Sequence, residues 1–195
     1  MKYSLKLFII IGFLMVAKIT FSTNTISTGN YELAANATGT ISISVANDVP
    51  FSAFQFDVVI PEHFTLDENS VALAGRENGH NFSWELLEGN ILRAIAWSGN
   101  ETSFSGSSGA VLQFVVTAGI KPGTYPLTLK NVIVAADENN ILDQVNSGTL
   151  VLKAPEITIT PETIDFGEVP LLQQASRTVS IQNTGNSLLT VNGLT

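Results

Sequence analysis

From residue 31 onward, apolar residues recur at every second position in several short runs, and turn-forming residues separate these runs. The alternation is clearest over residues 41–45, 54–60 and 112–116. A period of two places one side of an extended strand against a core and the other side nearer to solvent. Turn signals lie between the runs, at residues 47–48, 61–62, 89–90, 121–123, 137–140 and 146–148. The pattern therefore predicts an all-β fold, an antiparallel jelly-roll-like β-sandwich of about nine strands.

One hairpin can be predicted in more detail, around the turn formed by Gly89 and Asn90. A two-residue turn would place Trp84 opposite Ile95 and Phe82 opposite Trp97 on the neighbouring strand. One face of the hairpin would then carry Phe82, Trp84, Leu86, Arg93, Ile95 and Trp97. This face is either part of the sandwich core or, if both tryptophans are exposed, an aromatic platform on which sugar rings could stack.

Residues 1–22 have the pattern of a secretory signal peptide. Lys2 and Lys6 precede an apolar run over residues 7–17, and a polar exit follows. The run is shorter than the roughly 20 residues that a membrane-spanning helix needs. We therefore predict cleavage near Ser22 and export of the remainder as a secreted or cell-surface protein with no membrane span.

The composition narrows the classes of function. Of the 195 residues 45% are hydrophobic and only 13% are charged, against roughly 25% in an average domain. The chain has no cysteine, which excludes disulfides, thiolate metal sites and a cysteine nucleophile. The net charge of −8 includes three lysines in the predicted signal peptide, so the exported part would carry −11. Such an acidic chain is not expected to bind nucleic acid.

The order of the predicted strands resembles that of the cohesin module over about residues 31–153. The segments that carry the resemblance are GTISISVAN at 39–47, FQFDVVIP at 54–61, ILRAIAWS at 91–98, GAVLQFVV at 109–116, GTYPL at 123–127 and NSGTLVL at 146–152. Cohesins are sandwiches that capture dockerin proteins through one sheet face. The resemblance thus implies a non-catalytic module, residues 23–153, with a dockerin-like protein partner.

Carbohydrate binding is the alternative function, because the same superfamily includes cellulose- and chitin-binding modules. Its candidate ligand-binding residues are Trp84 and Trp97, together with Tyr31 or Tyr125. Exposed aromatic rings would stack on the sugar faces of a polysaccharide.

A second strand pattern begins after Lys153 and covers residues 154–195. The segments PETIDFGEV at 161–169 and IQNTGNSLLTV at 181–191 resemble the opening of an immunoglobulin-like domain of the spindle and ciliary type. Such a sandwich normally needs about 100 residues. We expect either a fragment of a longer surface protein or a segment that packs on the first domain.

Catalytic chemistry finds little support in the sequence. His63 and His80 stand in loop contexts without a second histidine at metal-binding spacing, and the serine-rich stretch 98–109 lacks a nucleophile motif. We interpret that stretch as a mobile connection and predict no enzyme activity and no required cofactor. Calcium is the alternative, since a loop with hard oxygen ligands holds Asp137, Asn139 and Asp143, but a plain hairpin turn is the interpretation that we favour for this loop.

Overall fold

The computed structural model describes residues 23–192, so the predicted signal peptide lies outside the described residues. The strands in this range are β1 (Thr25–Thr28), β2 (Asn30–Ala34), β3 (Thr38–Ala46), β4 (Ala53–Val59), β5 (Phe64–Leu73), β6 (Asn81–Leu87), β7 (Ile91–Trp97), β8 (Ser108–Ala118), β9 (Gly123–Ala136), β10 (Asn139–Asn140), β11 (Gln144–Asn146), β12 (Gly148–Lys153), β13 (Ile157–Thr160) and β14 (Ser180–Asn183). Within this range we find no helix with the length and apolar character needed to span a bilayer.

Two sheets pack face to face around one hydrophobic core. The first sheet has the order β11-β1-β3-β8-β5, and the second has the order β2-β12-β9-β4-β7-β6, with β10 attached to β9. The predicted all-β sandwich is confirmed. Twelve strands rather than about nine build it within the described residues, because β1, β10 and β11 are pieces of two to four residues. Pieces this short hold too few residues to show a period of two.

The core is built by the alternating segments. Ile41, Ile43 and Val45 on β3 are fully buried from the first sheet. Phe54 and Phe56 on β4 are buried from the second sheet, and their rings stack with centroids 4.9 Å apart. The polar residues between them point away from the core, as a period of two requires. Burial of these aromatic and branched side chains supplies the main driving force for folding in a chain that has no disulfide.

The predicted register of the β6–β7 hairpin is wrong by one residue. Trp84 lies opposite Ala94, and Phe82 lies opposite Ala96. The cause is a three-residue loop over 88–90, in which Asn90 is anchored elsewhere: its side-chain nitrogen donates to the carbonyl oxygens of Ile60 and Phe64 at 3.1 and 3.2 Å. A shift of one residue exchanges the faces of a strand. Phe82, Trp84 and Leu86 therefore share the core side, while Arg93, Ile95 and Trp97 lie on the opposite side of the sheet.

The chain passes from the first sheet to the second between β1 and β2. Gly29 and Gly148 touch at this crossing, where a Cβ on Gly148 would overlap the carbonyl oxygen of Gly29. Beyond the end of β1, the Tyr31 hydroxyl donates to the carbonyl oxygen of Ser42 at 3.1 Å and accepts from its N–H at 3.0 Å. The Tyr31 hydroxyl thus provides hydrogen-bond partners for the backbone of Ser42, where β3 no longer pairs with β1.

The segment after Ala154 forms a separate two-stranded sheet, β13 with β14. Most of its large apolar side chains are exposed: Ile157, Ile159, Ile164, Phe166, Val169, Leu171, Leu172, Val179, Ile181, Leu188 and Val191. This hairpin is the regular structure that we find in residues 154–192. The immunoglobulin-like domain predicted for 154–195 stays a prediction.

A short loop after β14 fastens this segment to the sandwich. Asn186 donates from its side chain to the carbonyl oxygen of Leu152 at 2.9 Å and accepts from the N–H of Ala154 at 3.0 Å. Asn183 accepts from the N–H of Glu156 at 3.1 Å. A Cβ on Gly185 would overlap the backbone of residues 154–156. The side chains of Asn183 and Asn186, together with the close backbone approach at Gly185, therefore hold this segment against the linker.

Candidate functional site

The side of the second sheet that faces away from the core, which we call the outer face, carries four cross-strand rows of side chains. One row, at one end of this face, holds Leu87, Ile91, Val59 and Thr128, and the other three form the candidate site. Cross-strand pairing aligns each row over β6, β7, β4 and β9. Of these three rows, the first holds Glu85, Arg93, Asp57 and Lys130; the second holds Ser83, Ile95, Gln55 and Ile133; the third holds Asn81, Trp97, Ala53 and Ala135. A charged row thus adjoins an area of mixed apolar and uncharged polar side chains on one continuous sheet.

The charged row is centred on a two-point ion pair between Arg93 and Asp57. The guanidinium donates from Nε to Oδ1 of Asp57 at 2.8 Å and from Nη2 to Oδ2 at 2.9 Å. Asn131, at a register shift in β9, donates to the same Oδ2 at 2.6 Å. Glu85 lies 3.8 Å from Nη1 of Arg93. Paired bonds in this fork geometry fix the guanidinium in place.

Electrostatics keep this pair ionised. The hydrogen bond from Arg93 holds the pKa of Asp57 below its usual value, against the opposing effect of burial, and Asn131 adds to the lowering. The same bond raises the pKa of Arg93. Asp57 is only 3% exposed although it lies on the outer side of the sheet, because Arg93 and Asn131 cover its carboxylate. Beside this pair lies an open recess of about 240 Å³, lined by Ser83, Trp84, Glu85, Arg93 and Ile95.

Two large apolar side chains are exposed in the other rows. Trp97 and Ile133 each keep 42% of their surface accessible to solvent. They stand in adjacent rows, on either side of β4, whose small Ala53 lies between Trp97 and Ala135. An exposed aromatic ring beside aliphatic residues and a fixed arginine is the composition typical of protein-binding surfaces.

The four aromatic residues named for ligand binding occupy different environments. Trp97 lies on the outer face, whereas Trp84, Tyr31 and Tyr125 pack partly against the core. Tyr31 and Tyr125 flank Leu150 in one row of the second sheet, and Trp84 lies on β6 at its far edge. Tyr125 donates its hydroxyl proton to the carbonyl oxygen of Lys121 at 3.1 Å and contacts the rings of His63 and Phe64 edge-on. These four side chains do not form one shared platform.

The calcium candidates lie around the β9–β10 turn. Asp137 and Glu138 occupy the turn with positive φ angles, and the Asn139 side chain donates to the carbonyl oxygen of Asp137 at 2.8 Å. The carboxylate of Asp143 instead accepts from the backbone N–H of Asn24 at 2.7 Å. Within residues 23–192 no three His, Cys, Asp or Glu side chains approach closely enough to hold a metal ion. Calcium binding therefore stays a prediction.

Sequence reasoning missed Arg76, a buried side chain that joins the end of β3 to the loop after Trp97. Arg76 is 6% exposed and bonds to four oxygen acceptors, each at 2.7 Å: the carbonyls of Val45, Ser105 and Gly106 and the side chain of Asn47. Burial lowers its pKa. In the sequence Arg76 stands between Gly75 and Glu77, where a turn charge is the ordinary interpretation.

The expectation of a mobile connection over residues 98–109 needs correction for the same reason. Arg76 fastens the middle of this loop, and Phe104 is buried there, stacked on Phe51 with centroids 4.8 Å apart. The N–H of Ser98, directly after Trp97, donates to the carbonyl oxygen of Ser52 at 3.1 Å. Hydrogen bonds thus hold the loop at its start, at Ser98, and in its middle, at Ser105 and Gly106.

Comparison with solved structures shows that the fold is that of cohesin modules. A non-cellulosomal cohesin from the hyperthermophilic archaeon Archaeoglobus fulgidus aligns with a TM-score of 0.58 and 16% identity over 68% of this chain and 92% of its own. A chain of a type I cohesin–dockerin complex from Clostridium thermocellum aligns with a TM-score of 0.58 and 17% identity over 67% and 99%. CaCohA2 from Clostridium acetobutylicum gives 0.56 and 16% over 67% and 90%. No protein-family model matches the chain, and no curated protein matches it either.

Proposed function

We propose that residues 23–153 form a non-catalytic binding module that captures a protein partner through the outer face. The observation that carries this proposal is the exposure of Trp97 and Ile133 on one flat sheet surface beside the fixed Arg93–Asp57 pair. Trp and Arg contribute most to binding when they are held rigidly near the centre of an interface. The surrounding sheet needs little reorganisation on binding, which keeps the entropic cost of association low.

The class of partner that we favour is dockerin-like. The support is the cohesin fold, together with the finding that one of the similar structures is a cohesin–dockerin complex. This sheet face suits a folded protein partner better than a small molecule, since the recess beside Arg93 is open to solvent. We further propose that the module is exported by the predicted signal peptide and is followed by an immunoglobulin-like spacer in a surface or secreted protein.

Carbohydrate binding remains the second candidate, and one observation favours it. The exposed ring of Trp97 stands among polar side chains, with Asn81 beside it on β6 and Gln55 nearby on β4. A single exposed tryptophan with neighbouring amides can stack on one sugar ring and hydrogen bond to its hydroxyls. The two candidates share Trp97, so the experiment must separate them by ligand.

The test measures binding of residues 23–195 to a panel of purified dockerins and, in parallel, retardation on cellulose and chitin gels. For protein capture we expect Trp97→Ala to weaken dockerin binding about 30-fold, the loss typical of a hot spot. The matched control is Val145→Ala, since Val145 is similarly exposed, at 39%, but lies on β11 of the other sheet. Retardation on polysaccharide that Trp97→Ala abolishes, with no dockerin bound, would overturn the proposal in favour of the second candidate.

A further inference from the structure

Strand β6 forms an open edge of the second sheet. In the part of the chain that the structure describes, β6 pairs with β7 alone, over all seven of its residues. The edges of the first sheet are guarded: β11 has three residues, and β5 loses its pairing with β8 between Asp67 and Ala72. β6 contains no proline, lysine or bulge, which are common protections of an edge strand, and its one charged side chain, Glu85, lies 3.8 Å from Nη1 of Arg93 on the neighbouring strand. It is therefore open to pairing with another strand.

The core side of β6 is also incompletely covered at this edge. Phe82 and Trp84 pack against the core and remain partly accessible, and Leu86 is 39% exposed. These three side chains end the apolar layer of the second sheet. A strand added beside β6 would extend that layer and bury their exposed parts.

We propose that the strand added here is β6 of a second copy of this chain, paired antiparallel about a two-fold axis at Trp84. In this register Phe82 lies opposite Leu86 of the second copy, and Glu85 lies opposite Ser83 of the second copy. The register uses all seven residues and faces no like charges. Moving the axis to Glu85 would place two carboxylates opposite each other, which is unfavourable. The β6 sequence is thus complementary to itself in one register.

This pairing adds to the proposed function without depending on it. The outer faces of the two copies would lie on the same side of one continuous sheet, and neither is covered by the pairing of β6. Two linked sites raise the apparent affinity for a partner that carries two binding motifs. A one-strand contact buries little surface, and residues 23–195 carry a net charge of −11, so the dimer is expected to be weak and to depend on protein concentration.

The first test changes the charge at position 83 and measures dimer formation. Sedimentation equilibrium of residues 23–195 is recorded from about 1 μM to 1 mM, a concentration range in which weak association can be detected. Ser83→Arg would face Glu85 of the second copy twice per dimer and should tighten association about fivefold, whereas Ser83→Glu should weaken it by a similar factor. The controls are Thr40→Arg and Thr40→Glu, which make the same charge changes at an exposed position on β3 of the other sheet.

The second test reads the register directly. Because the native chain has no cysteine, Ser83→Cys chains can be mixed with Glu85→Cys chains and oxidised. Opposed positions in the proposed register should form the mixed disulfide faster than either variant alone links to itself. The proposal is overturned if the native chain stays monomeric at the highest concentration, or if the Ser83 variants associate no differently from the Thr40 controls.

Discussion

Replacing Arg76 should destabilise the sandwich more than replacing any surface charge. Arg76→Met keeps a side chain of similar length but removes the four hydrogen-bond donors that join the end of β3 to the loop after Trp97. Those donors reach the carbonyl oxygen of Val45, the side chain of Asn47, and the carbonyl oxygens of Ser105 and Gly106. The first two acceptors belong to the end of β3, and the others belong to the loop after Trp97.

The magnitude follows from the acceptors left without partners. A net contribution of about 1 kcal/mol for each hydrogen bond gives a loss of about 4 kcal/mol. Met also removes a buried charge, whose cost is visible in the lowered pKa of Arg76, and this offsets part of the loss. We expect a net destabilisation of about 2–4 kcal/mol. Arg76→Lys should lose nearly as much, since one ammonium group cannot span acceptors on both segments.

Urea unfolding of residues 23–195 measures this change, and hydrogen exchange locates it. The amide of Asn47, which donates to the carbonyl oxygen of Ser107 at 2.8 Å, should exchange faster in Arg76→Met. Arg177→Met is the matched control, because Arg177 is exposed and makes one hydrogen bond, to its neighbour's carbonyl oxygen, beside a contact at 5.9 Å with the exposed ring of Phe166. A change below about 0.5 kcal/mol in Arg76→Met, which is the usual effect of a surface substitution, would refute the role given to these bonds.

Three further predictions concern the crossing, the ion pair and the linker. Tyr31→Phe should cost about 1–3 kcal/mol in urea unfolding, because both polar groups of Ser42 lose their partner, whereas Tyr125→Phe, whose hydroxyl is exposed, should cost less. The depressed pKa of Asp57 stabilises the fold above its unfolded-state pKa of about 3.9, and this contribution is lost as pH falls through the lower folded-state pKa. Between about pH 6 and pH 2, the free energy of unfolding should therefore fall less steeply with decreasing pH in Asp57→Asn than in the native chain. Gly185→Ala should speed amide exchange at the linker residue Ala154, and Gly99→Ala, where a Cβ meets open space, should leave it unchanged.

The sequence predicts the sandwich because burial on one side of a strand leaves a periodic trace. Ile41, Ile43 and Val45 show that trace, and the structure buries all three. The pairing register of a hairpin cannot be predicted from this alternation when a turn residue forms hydrogen bonds to residues far away in the sequence. Asn90 fits a two-residue turn by composition, yet its bonds to Ile60 and Phe64 accompany a three-residue loop, which places Trp84 and Trp97 on opposite sides of the sheet. Contacts across about 30 residues decided a feature that looked local.

The candidate site could be predicted only in part, because contacts between residues far apart in the sequence also decide which side chains are exposed. Trp97 was named as a ligand-binding candidate, but its exposure depends on which side of β7 faces the core. Tyr31 was named for its ring, whereas the structure uses its hydroxyl to complete the edge of β3. Arg76 has no periodic or motif signal, since its four acceptors come from the end of β3 and from the distant loop after Trp97. Polar side chains that bridge loops are determined by tertiary structure.

The charge on the outer face suggests how a partner is recognised there. The chain is acidic overall, with a net charge of −8, but the charged row of the outer face pairs Glu85 and Asp57 with Arg93 and Lys130 and is therefore neutral. The acidity lies elsewhere on the molecule. Long-range attraction from this face is consequently weak, and a partner would be selected at contact, by the fit of its apolar groups around Trp97 and of an acceptor near Arg93. The ion pair with Asp57 then serves to hold that guanidinium still, which makes contact selection possible on a flat sheet.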